Sequence, residues 1–158
     1  MKAAIIGGTG CQQMIGAQTV QITCDTPYGM VPLYVHEQDD VTIYYLLRHG
    51  LGHAVPPHRI NYRAQIAALQ TLGVTHAIGI YAVGSITSLV LPGTIGMIDQ
   101  FIDMTGGSRE STFYDGIDGT VAHVPMVSPY SLQLRSLLAS EASRMNLALC
   151  PRGTYICT

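Results

Sequence analysis

A chain of 158 residues, 47% apolar and only 11% charged, has the size of one domain and is too hydrophobic for a disordered one. Its net charge of −2, with 8 scattered basic residues, excludes the basic stripe that nucleic-acid binding needs. No apolar run is long enough to span a membrane. Lys2 to Ile6 reads as a buried first strand that enters the turn Gly7-Gly8-Thr9-Gly10. Its apolar stretch breaks at the glycines too early for a signal-peptide core, which predicts a cytoplasmic protein. Further strands are predicted at Thr19–Thr23, Val31–His36 and Val41–Leu47, the last rich in β-branched and aromatic residues and ending at Arg48-His49-Gly50. Residues 50–57 hold two glycines and Pro56-Pro57 and cannot be regular.

Asn61 is placed to cap a helix that carries Tyr62, Ile66 and Leu69 and stops at Gly73. His76 to Ala82 is nearly all apolar, as a strand buried on both faces requires, and it enters Val83-Gly84-Ser85. Thr94 to Ile102 reads as one more strand. A polar, glycine-bearing excursion follows over 104–119, and then a helix from Ser131 with Leu134, Leu137, Leu138 and Met145 on one face. Gly153 opens a last strand. Strands with interspersed helices predict an α/β domain with a mixed, largely parallel central sheet flanked by helices.

Three loops that follow strands carry the chemistry: Gly8-Thr9-Gly10, Arg48-His49, and Ala82-Val83-Gly84-Ser85. Loops at the carboxyl ends of parallel strands lie on one side of a sheet and converge on ligands. Glycine lets an anion approach backbone N–H groups, Thr9 adds a hydroxyl, and Arg48 offers a planar fork matched to phosphate oxygens. Together they predict a phosphate cradle. Each piece alone also has a bland reading: an ordinary tight turn, or a solvated arginine at a strand end. Gln13 breaks the dinucleotide fingerprint, and no Gly-Lys-Ser follows to make a Walker A loop. His49, His53 and His58 lie in a Gly/Pro loop with no cysteine or carboxylate nearby, so no metal site is expected. Cys11, Cys24, Cys150 and Cys157 form no CxxC pair and are expected to be reduced thiols. Asp99 and Asp103 share a strand face and are expected to make structural hydrogen bonds. His76 is expected to be structural, and Arg109 and Glu110 solvated.

In order along the chain stand Ile-Ile-Gly-Gly-Thr-Gly at 5–10, Asp-Thr-Pro-Tyr-Gly at 25–29 and Leu-Arg-His-Gly at 47–50. Pro-Pro-His-Arg-Ile-Asn-Tyr-Arg-Ala at 56–64, Ala-Val-Gly-Ser-Ile at 82–86, Asp-Gln-Phe-Ile-Asp at 99–103, Thr-Phe-Tyr-Asp-Gly at 112–116 and His-Val-Pro-Met at 123–126 follow. This series resembles the methylthioadenosine phosphorylase branch of the trimeric purine nucleoside phosphorylases. The resemblance implies phosphorolysis of a purine nucleoside (methylthioadenosine, methylthioinosine or inosine type) to free purine and pentose 1-phosphate. It implies phosphate held by Thr9, Arg48, His49 and the backbone at Ala82, with Tyr81, Val83, Gly84 and His123 lining the nucleoside side. His123 would be contributed across a subunit interface. It implies no metal and no organic cofactor, only inorganic phosphate as co-substrate, and a homotrimer.

Where the family carries a small hydroxyl or amide residue just before Ala82, this chain has Tyr81, a phenol that either crowds the anion or donates to it. The resemblance further implies that residues 1–158 are one partial, C-terminally truncated domain. The family's purine-binding part and its leaving-group Asp would lie beyond residue 158, so no catalytic residue is assigned within the chain. The expected function is therefore either a phosphorylase of which this chain supplies the phosphate side, or a non-catalytic module that binds phosphate at most and co-assembles with a relative.

Overall fold

The computed structural model describes residues 1–8, 10–106, 110 and 112–158. They divide into two units. The first is residues 1–82 with a short return segment that includes Glu110 and Phe113, and the second holds the rest, through Thr158.

The first unit is built on five strands: β1 (Lys2–Gly7), β2 (Val20–Cys24), β3 (Val31–Gln38), β4 (Val41–Leu47) and β5 (His76–Ile80). They form one sheet in the order β2-β3-β4-β1-β5. β2, β3 and β4 pair antiparallel as a meander, whereas β1 pairs parallel with both β4 and β5. The sheet is mixed as expected, with parallel pairing confined to the side where β1 sits. Helix α1 (Tyr62–Thr71) supplies the crossover to β5. Asn61 caps it: its side-chain oxygen accepts from the Ala64 amide at 3.0 Å, and its Nδ2 donates to the Tyr28 carbonyl at 2.7 Å. The helix stops where Gly73 takes φ +73°.

The core lies between α1 and one face of the sheet. Leu33, Leu46, Val31, Tyr44 and Ala4 meet Ala64, Ala68 and Leu69 there. The alanines let the helix backbone come close, and Leu33 and Leu46 fill the space beneath them. β5 corrects the expectation of a strand buried on both faces. It ends at Ile80 rather than Ala82, and His76, Ala77, Gly79 and Ile80 are all exposed. β5 is an edge strand among the described residues, and none of its residues belongs to the packed core between α1 and the sheet.

In the second unit the predicted strand Thr94–Ile102 is interrupted. It is β6 (Ile95–Gly96) and β7 (Gln100–Asp103), paired parallel with β8 (Leu149–Cys150) and β9 (Thr154–Cys157) respectively. The sequence offset between partners is the same on both sides of the gap, so this is one ladder with a break. The break falls at residues 97–99 and 151–153, where the Pro151 carbonyl accepts from Arg135 at 2.9 Å. Asp99 bridges it, its backbone N–H donating to the Gly153 carbonyl at 3.0 Å and its Oδ1 accepting from the Gly153 N–H at 3.2 Å. Helix α2 (Leu132–Arg144) begins at the predicted cap, where Ser131 Oγ accepts from the Leu134 amide. None of its residues is buried. Ile86, Leu89, Ile117 and Val127 are also exposed, which leaves this unit with abundant bare apolar surface.

Replacing Asn61 with alanine removes the α1 cap and the tie to Tyr28 together. Urea unfolding is expected to show a loss of about 1–2 kcal/mol, most of the cap being restored by Asn61→Asp. An unchanged midpoint for Asn61→Ala would contradict the capping role.

Candidate anion-binding site

The pairing register fixes the site. On β1, Gly7 lies opposite Leu47 of β4 on one side and Ile80 of β5 on the other. All three strands run the same way, so the next residues of each, Gly8, Arg48 and Tyr81, emerge side by side at one end of the sheet. Backbone hydrogen bonds close the row: Gly8 N–H donates to the Ile80 carbonyl at 3.0 Å, and Arg48 N–H donates to the Gly7 carbonyl at 2.9 Å.

Arg48 is anchored from several directions. Its carbonyl accepts from Gln65 Nε2 at 3.1 Å, and Nη1 reaches the Tyr62 hydroxyl at 3.5 Å. Its guanidinium carbon lies 4.9 Å from the centroid of the Tyr81 ring. Nη2 passes so close to Gly8 that a Cβ there would meet it at 3.2 Å. Glycine at position 8 thus gives the arginine room, since a larger residue would press on Nη2. The family resemblance implies that the Asn61-Tyr62 helix start supports this loop, and Tyr62 does reach Arg48; Gln65 was not singled out from the sequence. The signal was available, because a cap at Asn61 puts residues 62 and 65 on one face of the first helical turn.

His49 is buried at 6% exposure. Its Nδ1 lies 2.9 Å from the Val55 carbonyl, which can only accept, so Nδ1 carries the proton and Nε2 is left for another partner. The His53 ring stacks on it with centroids 4.1 Å apart. No group of three or more metal-ligating side chains forms among the described residues.

Ala82 lies two residues past the end of β5 and is exposed. Thr9 is outside the described residues. Val83, Gly84 and His123 belong to the second unit and are exposed there. The structure therefore brings together Arg48, His49, Tyr81 and Ala82 in the first unit, with Gly8 as a neighbour.

Several other polar residues make local hydrogen bonds or ion pairs. Asp99 holds the ladder break and lies 3.9 Å from Arg135, and Asp103 accepts from the amide and hydroxyl of Thr105. In the second unit Asp118 is held below the usual carboxylate range by hydrogen bonds from the Thr120 backbone and hydroxyl. His76 Nδ1 is 2.8 Å from the Thr75 hydroxyl. Glu110 is solvated as expected, its side chain 72% exposed, and it also pairs with Arg63, whose guanidinium lies over Tyr28. Arg109 is outside the described residues. All four cysteines are free thiols. No helix among the described residues is long and apolar enough to cross a membrane.

A glycine and an arginine side by side at the carboxyl ends of parallel strands place the candidate site of an α/β protein. The chain belongs to the phosphorylase superfamily, whose family model matches residues 2–158. It is 43% identical to a 6-oxopurine nucleoside phosphorylase of Pyrococcus furiosus, over 99% of this chain and 61% of that protein. It is 46% identical to an S-methyl-5'-thioadenosine phosphorylase of Hyperthermus butylicus, over 98% of this chain and 56% of that protein. Among solved structures it resembles methylthioadenosine phosphorylase from Schistosoma mansoni in apo form, with a TM-score of 0.89 at 31% identity, covering 99% of this chain and 63% of that one. The chain thus spans about three fifths of the length of the relatives it matches.

The hydrogen bond to Val55 fixes the neutral His49 ring as the Nδ1-protonated tautomer. Long-range proton–nitrogen NMR spectra are expected to show that form. A ring protonated at Nε2 alone would contradict the bond.

Proposed function

We propose that this chain supplies the phosphate-holding side of a purine nucleoside phosphorylase. The substrates in this reading are a nucleoside of the methylthioadenosine, methylthioinosine or inosine type and inorganic phosphate. The products are free purine and pentose 1-phosphate. The observation that carries the proposal is the alignment of Gly8, Arg48 and Tyr81 on three adjacent parallel strand ends, in a chain whose relatives bear nucleoside phosphorylase names.

Arg48 presents its in-plane N–H groups to phosphate oxygens. The 8–10 turn, with the Thr9 hydroxyl, and the Ala82 backbone N–H complete the cradle. His49 adds a phosphate contact through Nε2, the ring nitrogen not engaged by Val55. A phosphate oxygen then attacks C1′ of the sugar while the C1′–N9 bond breaks, its electron pair leaving with the purine. C1′ becomes positive on the way, and a phosphate held close on one face stabilises that charge before capturing it. Positioning supplies much of the barrier reduction, because the anion is already in place when the bond stretches. Neither a metal nor an organic cofactor takes part.

Val83, Gly84 and His123 face the nucleoside in this reading, His123 from a neighbouring subunit. The purine and its proton donor are met by the part of the family's length that this chain does not span. The bare apolar surface of the second unit supports assembly, here as a cytoplasmic homotrimer.

The test is chromatography of free base released from methylthioadenosine, methylthioinosine and inosine, with and without phosphate, on protein whose mass is measured by light scattering. The expected result is phosphate-dependent release from a trimer, with Arg48→Ala lowering kcat/KM for phosphate about 10–100-fold. No phosphate-dependent release from any of the three would defeat the enzymatic reading. Phosphate binding without release would support instead a non-catalytic phosphate-binding module.

A further inference from the structure

Arg48 is hard to orient by hydrogen bonds alone. Its Nε is shielded from solvent and has no hydrogen-bond partner among the described residues, and the Tyr62 contact, at 3.5 Å, is at the outer limit for such a bond. What covers the guanidinium is the ring of Tyr81, 4.9 Å away and within the range of a cation–π contact.

That ring sits in a slot made by a missing side chain. Residues 79 and 81 point to the same side of an extended chain. A Cβ on Gly79 would meet Tyr81 Oη at 2.5 Å, Cε2 at 2.7 Å and Cζ at 2.8 Å. On the neighbouring strand, Gly8 leaves room for Nη2 in the same way. Two side-chain-free positions on β5 and at the end of β1 thus accommodate one aromatic ring and one guanidinium.

We propose that Tyr81 is a positioning residue for the anion site: by stacking on the face of Arg48 it holds the guanidinium with its in-plane N–H groups toward the Gly8 turn. The proposal rests on the phosphate reading above. Stacking occupies the face of a guanidinium, whereas an oxyanion is bound at its edge, so the two are compatible on one side chain. This resolves the choice left open by the sequence. In the proposed arrangement the phenol does not take the anion's place: Arg48 Cζ lies over the Tyr81 ring, whose far end folds back over Gly79. Aromatic character, more than the hydroxyl, is what the role requires.

The experiment is calorimetric titration of the full chain with inorganic phosphate at low ionic strength, with folding of each variant checked by circular dichroism. Tyr81→Ala is expected to weaken binding about 3–10-fold. Tyr81→Phe is expected to bind within about twofold of the parent, because it keeps the ring. Gly79→Ala leaves Tyr81 in the sequence but pushes the ring's far end out of its slot, and is expected to weaken binding as Tyr81→Ala does. The double variant is expected to be no weaker than either, a non-additivity that separate structural damage would not produce. Tyr81→Ala binding as tightly as the parent, or more tightly, would overturn the proposal. Should that variant not fold, unchanged binding by Gly79→Ala overturns it equally. A parent chain that takes up no phosphate, or an Arg48→Ala chain that binds as well as the parent, defeats the underlying phosphate reading instead, and this inference with it.

Discussion

Everything at the candidate site depends on the parallel pairing of three strands, with Gly7 held between Leu47 and Ile80. Parallel strands put like ends together, so a single register decides which residues emerge as neighbours. A slip of one residue would reverse the face of every side chain that follows. The register is locked from below by the packed face of Leu33, Leu46 and Ala4 against α1, and from above by the backbone bonds of Gly8 and Arg48. The antiparallel meander of β2, β3 and β4 contributes by carrying the core. The parallel half contributes the site.

The helix between β4 and β5 serves both ends of this arrangement. Ala64 and Ala68 press its backbone toward the sheet, while Tyr62 and Gln65, on its first turn, reach Arg48. The cap at Asn61 sets where that turn begins, and its second bond to Tyr28 ties in the loop before β3. Local helix chemistry is thereby carried to the end of β4 that bears Arg48. The His49–Val55 bond does the same for the loop after β4, holding one ring nitrogen so that the other is left for a ligand.

Much of this was legible in the sequence where local chemistry decides the outcome. The strand Val41–Leu47, the caps at Asn61 and Ser131, and the stop at Gly73 are set by β-branched runs, side-chain acceptors and a glycine, all of which act within a few residues. Prediction failed where a partner decides. An apolar run at 76–80 looks the same at an edge as in the middle of a sheet, and here it lies at an edge and outside the packed core. The split of the strand at 94–102 follows from its pairing with two separate short strands some fifty residues away, and β8 was missed with it. Arg48 and His49 were identified from their glycine and strand context, but the slot that Gly79 leaves for Tyr81 exists only once the ring is placed. Thr9 lies outside the described residues, and Val83, Gly84 and His123 fall in the other unit.

The central claim is that three strand ends build one anion pocket at Arg48. Diffraction from crystals of the protein grown in phosphate tests it most directly. The account predicts tetrahedral density about 3 Å from the Arg48 terminal nitrogens and from amides of the turn after Gly7, with the Tyr81 ring still stacked on the guanidinium. An arginine turned away from that turn, with the anion bound elsewhere or nowhere, would contradict it.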